Sequence, residues 1–349
     1  MLQKFSVKFI KKTLVVLTLG AVFASTPVVS VHAASNDVSA PQLQTLIAAL
    51  SDLTSLLNNN SSQLTTNGAT MSMATASSLE SQTIIEPGGS SDIPGLKANP
   101  KILFVGNSYT YAAPGAVRAQ SPYGMFMRMM QLKAPAATSS LSAIGSSVMS
   151  ELWNWAGKPV RTDPKTLLKT GTYDLLVLQS GDGILSKTVP GDYEIYADKF
   201  INLAKANGTD VMLYGVWAPD STISISKGET VATNADVHYK GTVARNDVGY
   251  AAQGMAYTQA HKKFTELYGN GDDGQAAELR LTYDAVHAAA PTAYLAANMM
   301  YLGAFGVNPP TPSEFLPSGV TQSEAEALQI IAIAAHNTHS TQVTTGWYQ

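Results

Sequence analysis

The chain has 349 residues, a formal net charge of −3 and charged side chains at only 13% of its positions. Sparse charge without a basic excess argues against a nucleic-acid partner. No cysteine is present, which excludes disulfides, a lipid-attachment cysteine and thiolate chemistry.

Lys4, Lys8, Lys11 and Lys12 precede an apolar stretch from Leu14 to Phe23 that continues weakly to Val31, and Val31-His32-Ala33 gives a cleavage-like site. This pattern predicts a secretory signal peptide over residues 1–33, its uninterrupted apolar part being short for a membrane span. An uncleaved anchor is the alternative. The protein is therefore expected outside the cytoplasm, in a periplasm, at the cell surface or in the medium, with no stable membrane span after cleavage. Its many Ser, Thr, Asn and Gly residues suit contact with neutral polymers such as glycans.

Residues 34–97 are expected to hold a short amphipathic helix and a linker. Leu43, Leu46, Ile47, Leu50, Leu53 and Leu57 recur at helical spacing, to pack on the main domain or pair with another copy. Asn58 to Ser91 has few large apolar residues and reads as a flexible linker. The globular domain, residues 98–349, is ample for one α/β core.

Within it, strand-like and helix-like stretches alternate. Lys101 to Val105 is an apolar run ended by Gly106, which predicts a buried strand, and Gly106 offers backbone angles closed to other residues. Gly115 to Leu132 predicts a helix, Ser140 to Ile144 a short strand, and Asp174 to Leu178 a buried strand followed by Gln179. Asp192 to Asn207 is a predicted helix stopped by Gly208, and Asp210 to Trp217 another buried strand. This order predicts a parallel sheet covered on both faces. Ser221 to Arg245 is polar without a clear period and is expected to be a long functional or mobile loop. Asp247 to Tyr268, Ala293 to Leu302 and Gln322 to Ala335 are predicted helices. No repeat recurs at a fixed period.

Ser108 follows the first strand of the domain in Gly106-Asn107-Ser108-Tyr109-Thr110. Open α/β sheets bind ligands at the carboxyl ends of their strands, so this serine is a candidate nucleophile; a helix cap is the plainer alternative. A serine hydroxyl needs a base within hydrogen-bond reach, and His287 can take and return a proton near neutral pH. Asp284, three residues earlier, can orient the ring and stabilise the imidazolium. Taken alone, Asp-x-x-His also suits a surface capping pair; the serine block preceding it in the right order favours the catalytic reading.

Gly106-Asn-Ser108, Gly145, Gln179 and Asp284-Ala-Val-His287, in that order, resemble the blocks of the SGNH (GDSL-like) hydrolase superfamily. The first block is similar to the Gly-Asn-Ser-Phe/Tyr-Thr form of its secreted bacterial branch. The resemblance spans roughly residues 100–335. It implies a three-layer, flavodoxin-like α/β/α sandwich with a central parallel sheet, and a serine esterase with Ser108, His287 and Asp284 as catalytic residues. It also implies an oxyanion hole made by the backbone N–H groups of Ser108 and Gly145 and a side-chain amide after the third block's strand. There the sequence departs from the superfamily's Gly-x-Asn-Asp: Gln179 supplies the amide, whereas Asp182, an acceptor when ionised, is rejected for that role. Relatives also place proline directly after the histidine, where this chain has Ala288-Ala-Ala-Pro291, so a differently shaped loop is expected.

Asn107 and Trp217 are the candidate substrate contacts, Trp217 either stacking on a sugar or closing the core. Trp153 and Trp155 are rim aromatics or packing. His336 and His339 share a helical spacing without an acidic or cysteine ligand near them in sequence, so an exposed helix end is expected rather than a metal site. No Walker loop or dinucleotide fingerprint is present, and no cofactor or metal is expected. The expectation is a secreted serine esterase cleaving O-acetyl or other short acyl esters, on a polysaccharide, a cell-wall glycan or a small molecule. The alternative is a non-catalytic surface protein that keeps the fold and binds glycan. Oligomeric state stays open.

Overall fold

The computed structural model describes residues 15–19, 29–33, 93, 95–155, 162–181, 190–217, 225–269, 280–284 and 286–343. The chain divides into two compact units, Met1–Ser78 and Leu79–Gln349. In the first, β1 (Val15–Leu19) pairs antiparallel with β2 (Val29–Ala33). The helix expected at Leu43 to Leu57, the linker from Asn58 to Ser91 and Asp182 lie outside the described residues.

The second unit is built on five parallel strands: β3 (Lys101–Gly106), β4 (Thr138–Ala143), β5 (Leu175–Gln179), β6 (Asp210–Tyr214) and β7 (Gly249–Ala251). Their order across the sheet is β4-β3-β5-β6-β7, the doubly wound flavodoxin-like order. Ile102 to Val105 and Leu175 to Gln179 are fully buried. Strands covered on both faces need continuous apolar runs, which is what their sequences supply.

Nine helices are described: α1 (Ser108–Tyr111), α2 (Pro122–Lys133), α3 (Met149–Asn154), α4 (Pro164–Thr170), α5 (Pro190–Ala206), α6 (Ile225–Asn246), α7 (Gln253–Tyr268), α8 (Ala290–Phe305) and α9 (Gln322–His339). Helix α2 connects β3 to β4, α5 connects β5 to β6 and α6 connects β6 to β7, and parallel crossovers of this kind are almost always right-handed. Helix α8 packs against α2, α7 and α9 and against β7. It is buried from Pro291 to Phe305, as expected of a helix apolar all round.

The structure corrects three expectations. The helix expected from Gly115 begins at Pro122: Gly115, with φ of 62°, lies inside the first of two short 3₁₀ turns, and Ser121 caps the helix by accepting the Gly124 N–H at 3.2 Å. The loop expected over Ser221 to Arg245 is helical from Ile225. Its buried positions, Ala232, Ala235, Asp236, Tyr239, Thr242 and Val243, do follow a helical period, but small and polar side chains on that face hide the contrast a hydropathy pattern needs. The helix expected from Asp247 starts at Gln253, because Gly249–Ala251 forms the edge strand β7.

Candidate active site

Ser108, Gly145, Gln179 and Trp217 lie at or just beyond the carboxyl ends of β3, β4, β5 and β6. Gly106 is in register with Ala143 on one side, and Val105 with Leu178 on the other, so Gly145 and Gln179 flank the turn that carries Ser108. The strand order reverses between β3 and β5, and a crevice opens at such a switch point.

Ser108 is the first residue of α1, where a backbone N–H has no intrahelical acceptor. Asn107 is the cap: its Oδ1 accepts the Tyr109 N–H at 3.0 Å, and its Nδ2 donates to the Ser147 carbonyl at 3.0 Å. The same side chain thus shapes the serine turn and ties it to the Gly145–Ser147 loop. Fully buried, with both polar atoms engaged, Asn107 is a framework residue and not the substrate contact expected of it.

Gln179 reaches under the turn. Its Oε1 accepts the Asn107 N–H at 2.7 Å and the Thr110 hydroxyl at 2.8 Å, while its buried Nε2 has no partner among the described residues. These contacts explain Gly106 differently from the sequence reading. Gly106 does not take a positive φ; a Cβ there would lie 2.5 Å from Gln179 Oε1 and 2.6 Å from Thr110 Oγ1. Space, not backbone freedom, requires glycine.

Gly145 is exposed, and Ser146 after it takes the left-handed conformation with φ of 56°, a strained position for a residue with a side chain. A Cβ at Gly145 would meet the Tyr111 hydroxyl at 3.2 Å, so Tyr111 lies directly beside this backbone.

The histidine is held by its own aspartate. Asp284 Oδ2 is 2.6 Å from His287 Nδ1, and Oδ1 accepts the backbone N–H groups of Val286 at 3.1 Å and His287 at 2.7 Å. One carboxylate therefore folds the turn and orients the ring. Burial pushes the Asp284 carboxyl up, but the bonds from His287 and Val286 outweigh it and hold the group below its usual range. An ionised Asp284 needs a donor, which assigns the proton to Nδ1 and leaves Nε2 as the acceptor. The loop closes without a proline directly after His287: Thr282 bridges Ala288, the Tyr283 N–H donates to the His287 carbonyl at 3.1 Å, and the Ala289 N–H donates to the Leu281 carbonyl at 2.9 Å.

Serine turn and histidine loop meet through aromatic rings. The Tyr109 ring lies 6.2 Å from the His287 ring and 4.7 Å from Trp217. Burial, then the charge of Asp284, raises the Tyr109 hydroxyl's pKa. Trp217 is fully buried, so of its two expected roles it takes the core-closing one and offers no face to a sugar. The exposed aromatic beside the histidine is Tyr283, 39% exposed and stacked on His287 at 5.8 Å. Sequence reasoning missed it, although a tyrosine directly before Asp284 was a visible signal.

Other candidates lie apart. Trp153 packs edge-on against Phe200 at 5.0 Å and is a packing residue. His336, expected at an exposed helix end, is buried at 7% exposure, and burial lowers its pKa to about 4. His339 lies 3.6 Å from Asp236, and no cluster of three metal-ligating side chains occurs among the described residues. No described helix is long and apolar enough to cross a membrane.

No family model matches the chain, and no curated protein does. Several solved structures share features of its fold. A protein described as a GDSL-like lipase from Parabacteroides merdae is 16% identical, with 60% of this chain and 97% of that one covered and a TM-score of 0.45. The acetylxylan esterase Axe2 from Geobacillus stearothermophilus is 15% identical over 59% of this chain and 95% of its own, with a TM-score of 0.44. The psychrotrophic esterase EstA from Pseudoalteromonas sp. is 10% identical over 59% and 96%, with a TM-score of 0.41. At this level of similarity, the chemistry of the site has to be read from the chain's own geometry.

Proposed function

We propose that this chain is a serine esterase of the SGNH type. The observation that carries the reading is the Asp284–His287 pair, 2.6 Å apart, packed against the residue that follows Ser108 at the switch point of the sheet. In this reading Ser108 Oγ attacks an ester carbonyl while His287 Nε2 takes its proton, and Asp284 stabilises the imidazolium. The Ser108 and Gly145 N–H groups receive the oxyanion, with Gln179 Nε2 as the third donor. The tetrahedral adduct collapses as His287 returns the proton to the leaving alcohol. Water, deprotonated by His287, then releases the acid from the acyl-enzyme.

The substrate we propose is an O-acetyl or other short acyl ester on a polysaccharide or cell-wall glycan. The exposed Tyr283 face beside His287 supports a ring-bearing substrate, since an aromatic face suits the apolar face of a sugar. The lysine-led apolar amino terminus supports export toward such polymers.

A fluorophosphonate probe tests the reading. Covalent labelling that maps to Ser108 and disappears in Ser108→Ala is the expected result. Labelling that persists in the variant, or none at all in a folded wild type, would remove it.

A further inference from the structure

Trp217 is left without a task once its burial rules out a sugar contact. It follows β6, at the same sheet edge as Ser108, and its ring stacks on Tyr257 at 5.8 Å and 25°. Helix α7, which carries Tyr257, seats tightly there: a Cβ at Gly254 would lie 2.5 Å from the Val216 carbonyl oxygen. The indole is thus a fixed part of the scaffold.

Its Nε1 donates to the Val286 carbonyl at 2.9 Å. That carbonyl and the His287 N–H belong to one peptide group, and the N–H donates to Asp284 Oδ1 at 2.7 Å. The peptide plane that leads into the histidine is therefore pinned from both sides, by a carboxylate and by an indole. A planar peptide held at its oxygen and at its hydrogen has little freedom to rotate, and its rotation would swing the imidazole. The same indole and the Tyr109 ring meet edge to face at 4.7 Å and 75°, so one side chain touches both the neighbour of Ser108 and the neighbour of His287.

We infer that Trp217 is a positioning residue that sets His287 relative to Ser108, acting through the Val286–His287 peptide. The inference rests on the esterase reading for its consequence in turnover, but the clamp itself is observable without any substrate.

The experiment uses the full chain and its Trp217→Phe variant, which keeps an aromatic ring and removes only the donor and the second ring. With a chromogenic acetyl ester, kcat is expected to fall by about 10- to 100-fold, the scale of a misplaced catalytic group, with KM within about twofold. In proton NMR, the downfield His287 Nδ1–H signal is expected to broaden or shift in the variant. In the wild type, the Trp217 indole proton is expected to move with the titration of His287, which tests the clamp even if the variant does not fold. An unchanged kcat with an unchanged Nδ1–H signal, or an indole proton indifferent to that titration, would overturn the inference. A folded wild type without ester turnover would count against the esterase reading alone, the two NMR readouts still deciding the clamp.

Discussion

Asp284 grips His287 twice, with Oδ2 2.6 Å from the imidazole Nδ1 and Oδ1 2.7 Å from the backbone N–H. Asp284→Asn keeps the size of the side chain but places an amide where an ionised acceptor stood, favouring the wrong tautomer. Turnover of an acetyl ester is expected to fall by roughly 10³- to 10⁴-fold with little change in thermal midpoint. Because the folded-state pKa of Asp284 is depressed, the order it gives the loop is present above the usual carboxylate range. That order is lost only as pH falls through the lowered value; backbone exchange of Val286 and His287 amides across an acid titration would follow it.

The chain behind Gly106 is equally specific. In Gly106→Ala the new methyl meets Gln179 Oε1, so the amide must withdraw from Asn107 and Thr110. Overpacking of this kind costs about 1–3 kcal/mol, and urea unfolding should register it. Esterase activity should fall as well, because the serine turn loses its support.

Much of this was legible in the sequence. Ile102 to Val105, Leu175 to Leu178 and Val211 to Tyr214 carry buried apolar runs bounded by turn residues, and their order yields the parallel sheet. Ser108, Asp284 and His287 stood out because their chemistry is local: a strand-end turn and a four-residue span. What stayed hidden depends on distant contacts. Asn107 looked like a substrate contact and Trp217 like either a sugar platform or a core residue; the bonds to Ser147 and Val286 that decide both join residues distant in sequence. Helix α6 was obscured because the face it buries is built mostly from alanine, threonine, aspartate and tyrosine, with Val243 its one aliphatic branch among the described residues.

His336 gives the fold an acid dependence. It is buried on α9, and burial lowers its pKa from the usual 6.5 to about 4. The unfolded chain takes up a proton that the fold refuses, so stability is full above about 6.5 and declines as pH falls toward 4. The loss is on the order of 3 kcal/mol for this group. In His336→Leu, urea midpoints measured between these pH values should fall less steeply than in the wild type.

Arg280 begins the segment that leads into the histidine loop. Its guanidinium meets Glu324 at 2.8 and 2.6 Å, and the Glu324 carboxylate is only 1% exposed. Arg280→Met would leave a buried charge held only by Tyr268 and the α9 cap at Thr321. Removing one partner of a buried pair costs about 3 kcal/mol, readable as a lowered thermal midpoint.

The proposed glycan contact at Tyr283 is tested by comparing two substrate classes. Tyr283→Ala should raise KM for an acetylated oligosaccharide by roughly fivefold, a loss near 1 kcal/mol. A small chromogenic ester, with no ring to stack, should be turned over with nearly unchanged KM. Equal effects on both substrates would remove the tyrosine from glycan recognition.

The central claim is that Ser108 is the nucleophile. Its most direct measurement is hydrolysis of a chromogenic acetyl ester by the full chain beside Ser108→Ala, with both proteins shown to be folded by circular dichroism. Activity in the wild type that falls by about 10³-fold or more in the variant is the expected result. Turnover retained by Ser108→Ala would contradict it.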